Sequence, residues 1–182
     1  MRKKLIFVGL VVLASVALAA TAFADRGKGK DGKNFKTVLT GFEETPSEST
    51  PGHGDVRLRI SGSEIQYRLR YEDFEAAELA TTAAHIHFGQ RGVAGGVSAF
   101  LCGGGGKPAC TFPEGTFEGV IVATDVIGPT GQGIAPGEIA ELIRAIRKGY
   151  TYANVHTTLN PAGLIRGQIG RASCRERVWI PV

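Results

Sequence analysis

The chain has 182 residues and a formal net charge of +4, from 21 basic and 17 acidic side chains. Three of the basic residues and none of the acidic ones lie in the first 24 residues, so the rest of the chain carries a net charge of only +1. This length is typical of one domain, and the near-neutral charge, with no basic stretch interleaved with aromatic residues, argues against a nucleic-acid ligand.

Residues 1–24 have the features of a secretory signal peptide. Basic residues at 2–4 precede an apolar segment at 5–18, and Ala22-Phe23-Ala24 is a small-residue cleavage site. A retained membrane anchor is the alternative, but the apolar segment is shorter than the roughly 20 residues of a full span. We therefore expect a secreted, periplasmic or outer cell-envelope protein without a membrane span after cleavage. Its expected partner is an unidentified extracellular or periplasmic protein or a surface ligand.

The polar segment 25–34 is predicted to be a flexible leader, and the folded domain is predicted to span residues 35–170. Residues 35–40 form the first predicted strand. Alternating apolar residues at 56–60 and 65–71 then predict a hairpin around Ser61-Gly62-Ser63-Glu64. Its outward side chains include Arg57, Arg59, Arg68 and Arg70. These arginines are either an anion-binding strip or a solvated face paired with nearby glutamates.

Three of the four histidines lie in two further predicted strands. Side chains alternate between the faces of a strand, so His85 and His87 share one face, with Cα atoms about 6.5 Å apart. Ala84 and Ile86 then face the core. In the later strand His156 and Asn154 face outward by the same argument. The pattern predicts a three-histidine cluster on the outer face of the sheet.

Two interpretations of this cluster remain open. Imidazole nitrogens suit copper or zinc, and three ligands leave an open coordination position. The other interpretation is a hydrogen-bonded structural cluster in which Asn154, Thr157 and Arg166 are the partners of the histidines. If the cluster binds a metal ion, these three polar residues would surround the histidine ligands as its second shell. We assign no catalytic residue, because no hydrolase motif is present.

The remaining elements complete a mainly β domain. Short strands are predicted at 97–101, 117–122 and 164–169, and Cys102 and Cys110 are predicted to form a local disulfide, which suits an exported protein. Apolar residues at 139, 142, 143 and 146 predict a helix over 137–148 that ends at Gly149. Residues 171–182 show no periodicity and are predicted to be a disordered tail, which one interpretation places outside the natural protein. The whole pattern predicts an antiparallel Greek-key β-sandwich or barrel with one short helix.

The order of several motifs resembles that of the CHRD domain family, named for its occurrence in chordin. The resemblance rests on residues 39–46 (LTGFEETP), 84–87 (AHIH), 152–157 (YANVHT) and 160–168 (NPAGLIRGQ). The family usually has an acidic residue at the position of Leu164 and a proline at that of Ser47. The resemblance implies an extracytoplasmic β-rich binding module with an unknown ligand.

A more distant similarity concerns the copper half of Cu,Zn superoxide dismutases, which are Greek-key β-sandwiches. In that family a His-x-His strand and a late histidine bind copper on the outer face of the barrel. The resemblance implies a copper site at His85, His87 and His156, and it makes Arg166 similar to the basic residue that attracts an anion to the metal. Only His53 remains for a zinc site, so full dismutase activity is not expected.

Overall fold

The structure, a computed structural model, describes residues 33–172. The predicted signal peptide, most of the predicted leader and most of the predicted tail therefore lie outside the described residues. The nine strands are β1 (Asn34–Thr40), β2 (His53–Ser61), β3 (Glu64–Glu72), β4 (Thr81–Phe88), β5 (Gly96–Cys102), β6 (Gly115–Ile121), β7 (Thr151–Thr157), β8 (Ile165–Gln168) and β9 (Gly170–Arg171). One α-helix, α1 (Ile139–Lys148), precedes β7.

All strand pairs are antiparallel, in the order β5-β4-β7-β8-β1-β2-β3-β6, with β9 paired to β1. The sheet curls so that its two ends approach each other, and the Tyr67 hydroxyl of β3 donates a hydrogen bond of 2.9 Å to the Leu101 carbonyl of β5. The predicted antiparallel β-sandwich or barrel with one helix is confirmed.

The β2–β3 hairpin shows why the sequence folds this way. Gly62 takes a φ of 60° in the turn, a conformation that is accessible to glycine without strain. The alternating apolar residues of both strands all point into the core, and each is at most 5% exposed: Val56, Leu58, Ile60, Ile65, Tyr67, Leu69 and Tyr71. The basic residues between them point outward.

The helix α1 buries one apolar stripe against the same core. Leu142 and Ile146 are fully buried, and Ile143 is nearly so. Gly149 ends the helix with a φ of 78°, the left-handed conformation expected after a helix C-terminus. The chain then enters β7, the strand of His156. Among residues 33–172, no helix is long and apolar enough to cross a membrane.

Candidate metal centre

The two predicted histidine strands are neighbours, and their pairing register brings the three imidazoles together. On β4 and β7, Asn154 lies opposite His85, and His156 lies opposite Ala83, which places His156 diagonally next to His85. One candidate ligand atom from each of the three histidines lies within 4.8 Å of the other two. The intervening Ala84, Ile86 and Val155 are fully buried in the core.

The cluster lies on the outer face of the sheet, yet it is almost closed to solvent. His85, His87 and His156 are 9%, 7% and 8% exposed. Two loops contact them: residues 89–95 after β4 through Gly95, and residues 158–164 after β7 through Pro161. The rings of Phe100 and His85 also pack edge to face, at 4.4 Å between ring centroids.

Backbone carbonyls fix the orientation of two of the rings. His87 Nδ1 lies 2.9 Å from the Gly95 carbonyl oxygen, and His156 Nδ1 lies 3.1 Å from the Pro161 carbonyl oxygen. A carbonyl only accepts, so each Nδ1 carries the proton and each Nε2 carries a lone pair. His156 Nε2 lies 3.0 Å from His85 Nδ1. His87 Nε2 is buried and has no hydrogen-bond partner.

The surroundings keep these histidines neutral. Burial, together with the electrostatic effect of His156 and His87, lowers the pKa of His85 from 6.5 to about 3. Burial also lowers the pKa of His87 to about 4, although its hydrogen bond to Gly95 opposes the shift. The pKa of His156 is lowered by burial as well. The unprotonated form is the one that a metal ion requires.

A stack of three side chains supports His87. Its ring lies parallel to the Tyr152 ring, with 4.7 Å between centroids, and Arg166 Cζ lies 3.4 Å from the centroid of the Tyr152 ring. Arg166 is 3% exposed and donates to the carbonyls of Gln90 and Val93. Arg166 therefore stabilises the 89–95 loop, which supplies the carbonyl partner of His87.

Asn154 contacts a buried acid and makes no hydrogen bond with a histidine. Its side-chain amide donates to both carboxylate oxygens of Glu44, at 3.0 and 3.1 Å. Glu44 is 8% exposed, and burial raises its pKa to about 7, an effect that the Arg166 charge and the hydrogen bond from Asn154 oppose. Gly163 packs closely on this pair: a Cβ atom there would lie 2.4 Å from Asn154 Oδ1 and 2.6 Å from Glu44 Oε1.

Thr157 also contacts an acid, Glu78, which is 5% exposed. The Thr157 hydroxyl donates to the Glu78 carboxylate, and the Asn160 side chain donates to the same carboxylate at 3.0 Å. These bonds hold the 158–164 loop, which carries the Pro161 carbonyl partner of His156. The sequence analysis missed both Glu44 and Glu78, because each lies in an acidic connection without periodicity.

The other predicted residues lie apart from the cluster. His53 is exposed at the start of β2 and lies 3.2 Å from a carboxylate oxygen of Glu72. Cys102 and Cys110 form a disulfide, as predicted. The segment between them covers Phe100, because Cβ atoms at Gly104 and Gly105 would lie 2.5 and 2.8 Å from its ring.

Comparison with known families identifies the domain. The family model of the CHRD domain matches residues 35–169, which is most of the chain. The chain belongs to the CHRD domain family. All three clustered histidines of this CHRD domain lie within the matched range. No curated protein and no solved structure shows significant similarity to the chain.

Proposed function

We propose that this CHRD domain is an extracytoplasmic binding module whose ligand is one copper or zinc ion, held by His85, His87 and His156. The observation that carries the proposal is the arrangement of lone pairs. Backbone carbonyls hold the Nδ1 protons of His87 and His156, so that their Nε2 atoms carry the lone pairs that a metal ion requires. His85 Nδ1 lies 3.0 Å from His156 Nε2 and donates to it in the metal-free domain. A change of His85 to the tautomer that is protonated at Nε2 would free both of these nitrogens for a metal ion.

The donor set supports a transition metal. Three neutral imidazoles suit copper and zinc, whereas calcium and magnesium prefer oxygen ligands. The lowered pKa values of His85 and His87 mean that no proton has to be removed from them at neutral pH before they bind. The similarity of the His-x-His strand and the late histidine to the copper half of Cu,Zn superoxide dismutases favours copper.

We propose metal binding or carriage and not dismutation. Arg166 is the residue that would attract an anion in the superoxide dismutase comparison. Its guanidinium is buried, lies on the Tyr152 ring and donates to loop carbonyls. It is not placed to draw an anion from solvent. The disulfide and the predicted signal peptide support an oxidising location outside the cytoplasm.

The test is metal quantitation on protein purified without an affinity tag that contains histidines. We expect one tightly held copper or zinc ion per chain at neutral pH, its loss in His85→Ala and in His87→Ala, and its retention in His53→Ala. Circular dichroism of each variant checks that the fold is kept.

A structural role of the cluster is the second candidate, favoured by the 3.0 Å contact between His85 Nδ1 and His156 Nε2. In that case the wild-type domain takes up neither metal, and His85→Ala lowers only the free energy of unfolding. That pair of results would contradict the metal proposal.

A further inference from the structure

Basic side chains form a row across the outer face of β1, β2 and β3, which β8 separates from the strands of the histidine cluster, β4 and β7. The register of β1, β2 and β3 places Lys36 opposite Arg57, and Arg57 opposite Arg68. Glu118 of β6 ends the row beside Arg68. Arg59 lies in the next row, opposite Gln66. Neighbouring strands are about 4.8 Å apart, so successive basic residues of the row are separated by about this distance.

This basic face does not reflect a generally basic domain. Residues 33–172 include 13 basic and 14 acidic side chains, so the described part of the chain is slightly acidic. The acidic residues concentrate in the connections that leave the other end of these strands, at residues 43–48 and 72–78. The strands thus separate positive charge from negative charge along their length.

The fold keeps this row at a cost. Like charges directly opposite each other on neighbouring strands destabilise a sheet. Arg57 is 3.3 Å from Asp55, and Arg68 is 3.4 Å from Glu118, but these pairs are largely exposed and contribute little. Arg59 makes no ion pair with any residue in 33–172. The charges of Arg57, Arg59 and Arg68 are therefore available to an anionic ligand.

The same residues line an open groove of about 850 Å³ across β1, β2, β3 and β6. We propose that this groove binds a linear acidic polysaccharide, with Arg57, Arg59 and Arg68 as its main contacts. Arg57 and Arg68 lie one strand spacing apart, which suits a chain that carries one acidic group on each sugar unit. Val120 and the aliphatic stems of the arginines supply an apolar surface for the faces of the sugar rings.

The groove fits a polysaccharide better than a single-stranded nucleic acid. Proteins that bind single strands combine basic residues with exposed aromatic rings on which the bases stack. The Tyr67 ring lies under the groove but is only 5% exposed. The groove therefore offers charge without a stacking surface for bases.

The experiment measures binding of the purified protein to two polysaccharide probes, alginate as a carboxylate chain and heparin as a sulfated chain. We expect at least one to bind at low salt and to weaken as salt screens the contacts. The double variant R57Q/R68Q should bind about tenfold more weakly, the loss expected for two exposed charge contacts. Its thermal unfolding midpoint should be equal to or above that of the wild type, because the substitutions remove like-charge repulsion.

The matched control is R144Q/R147Q, which makes the same change in net charge at two exposed arginines outside the groove. It should retain wild-type affinity. The proposal is overturned if neither probe binds, or if the control loses as much affinity as R57Q/R68Q. It is also overturned if single-stranded DNA binds as tightly as the better polysaccharide, since the ligand would then not be a polysaccharide. Comparison of alginate with heparin identifies the preferred anionic group.

Discussion

The Nε2 atom of His87 is a buried polar atom without a hydrogen-bond partner. Such an atom lowers the stability of the folded state, and each case in a native structure therefore needs a physical explanation. Side-chain atoms of Thr81, Ser98 and Thr151 are also buried without partners. The His87 atom differs from these hydroxyls because it belongs to the group of three potential ligands. A bound metal ion would satisfy it, and would use the Nε2 atom of His156 at the same time.

Gly163 provides a test of how the surrounding residues hold the site. It has a φ of 137°, and a Cβ atom there would overlap the Asn154 amide and the Glu44 carboxylate. The strained backbone alone costs about 1–3 kcal/mol, so we expect Gly163→Ala to lower the free energy of unfolding by at least this amount. We also expect weaker metal binding, since Gly163 belongs to the loop of Pro161. Urea denaturation and metal titration measure the two effects.

Gly131→Ala is the matched control for this substitution. A Cβ atom at Gly131 meets nothing within 4 Å, and its backbone is not in the left-handed region. We expect its free energy of unfolding to stay within about 0.5 kcal/mol of the wild type, as at most surface positions. Equal stability of Gly163→Ala and Gly131→Ala would refute the role assigned to the contact between Gly163, Asn154 and Glu44.

At the scale of elements, the disulfide-bonded segment connects the fold to the site. Gly104 and Gly105 of this segment pack on Phe100, and Phe100 packs on His85. In the chain-entropy description, a ring of this size contributes about 2.5 kcal/mol to stability. We expect the double variant C102S/C110S to lose about that much free energy of unfolding. We also expect its metal affinity to fall, because Phe100 no longer fixes the His85 ring.

The substitution Phe100→Leu, with the disulfide intact, separates these two effects. It should weaken metal binding while the covalent ring remains closed. If the C102S/C110S variant binds metal with wild-type affinity, the segment has no influence on His85, and the contact through Phe100 is merely packing.

The elements also show what a sequence can and cannot predict here. The β2–β3 hairpin, the outward face of His85 and His87, and the disulfide follow from alternation and spacing, which are local properties. The loops that bury the histidines, and the bonds of Glu44 and Glu78, depend on contacts between segments about 80 to 110 residues apart. The row formed by Lys36, Arg57 and Arg68 likewise requires the register of three strands. Local sequence patterns do not predict these long-range contacts or the register of the three strands.

At the scale of the whole molecule, the buried ionisable groups predict how stability depends on pH. The folded state holds His85 and His87 neutral down to pH values near 3 and 4, whereas in the unfolded chain they take up protons below about 6.5. Their contribution to stability is therefore complete above pH 6.5 and is lost as the pH falls toward 4 and 3. Glu44 acts in the opposite sense. Its pKa rises from 4.5 to about 7 on folding, so its contribution is complete below pH 4.5 and is lost as the pH rises through 7.

Between pH 4.5 and 6.5 the contributions of His85 and His87 to stability together exceed the opposing contribution of Glu44. We therefore expect the metal-free domain to become less stable as the pH falls through this range. Glu44→Gln removes the opposing contribution and should make the fall steeper, whereas His87→Ala should make it shallower. Gly131→Ala, which removes no titratable group and whose added Cβ atom meets nothing within 4 Å, should keep the wild-type slope. Urea denaturation of the metal-free proteins at pH 4.5, 5.5 and 6.5 measures these slopes. A wild-type stability that rises toward pH 4.5 would show that the buried carboxyl dominates and that the histidines do not remain neutral in the folded state.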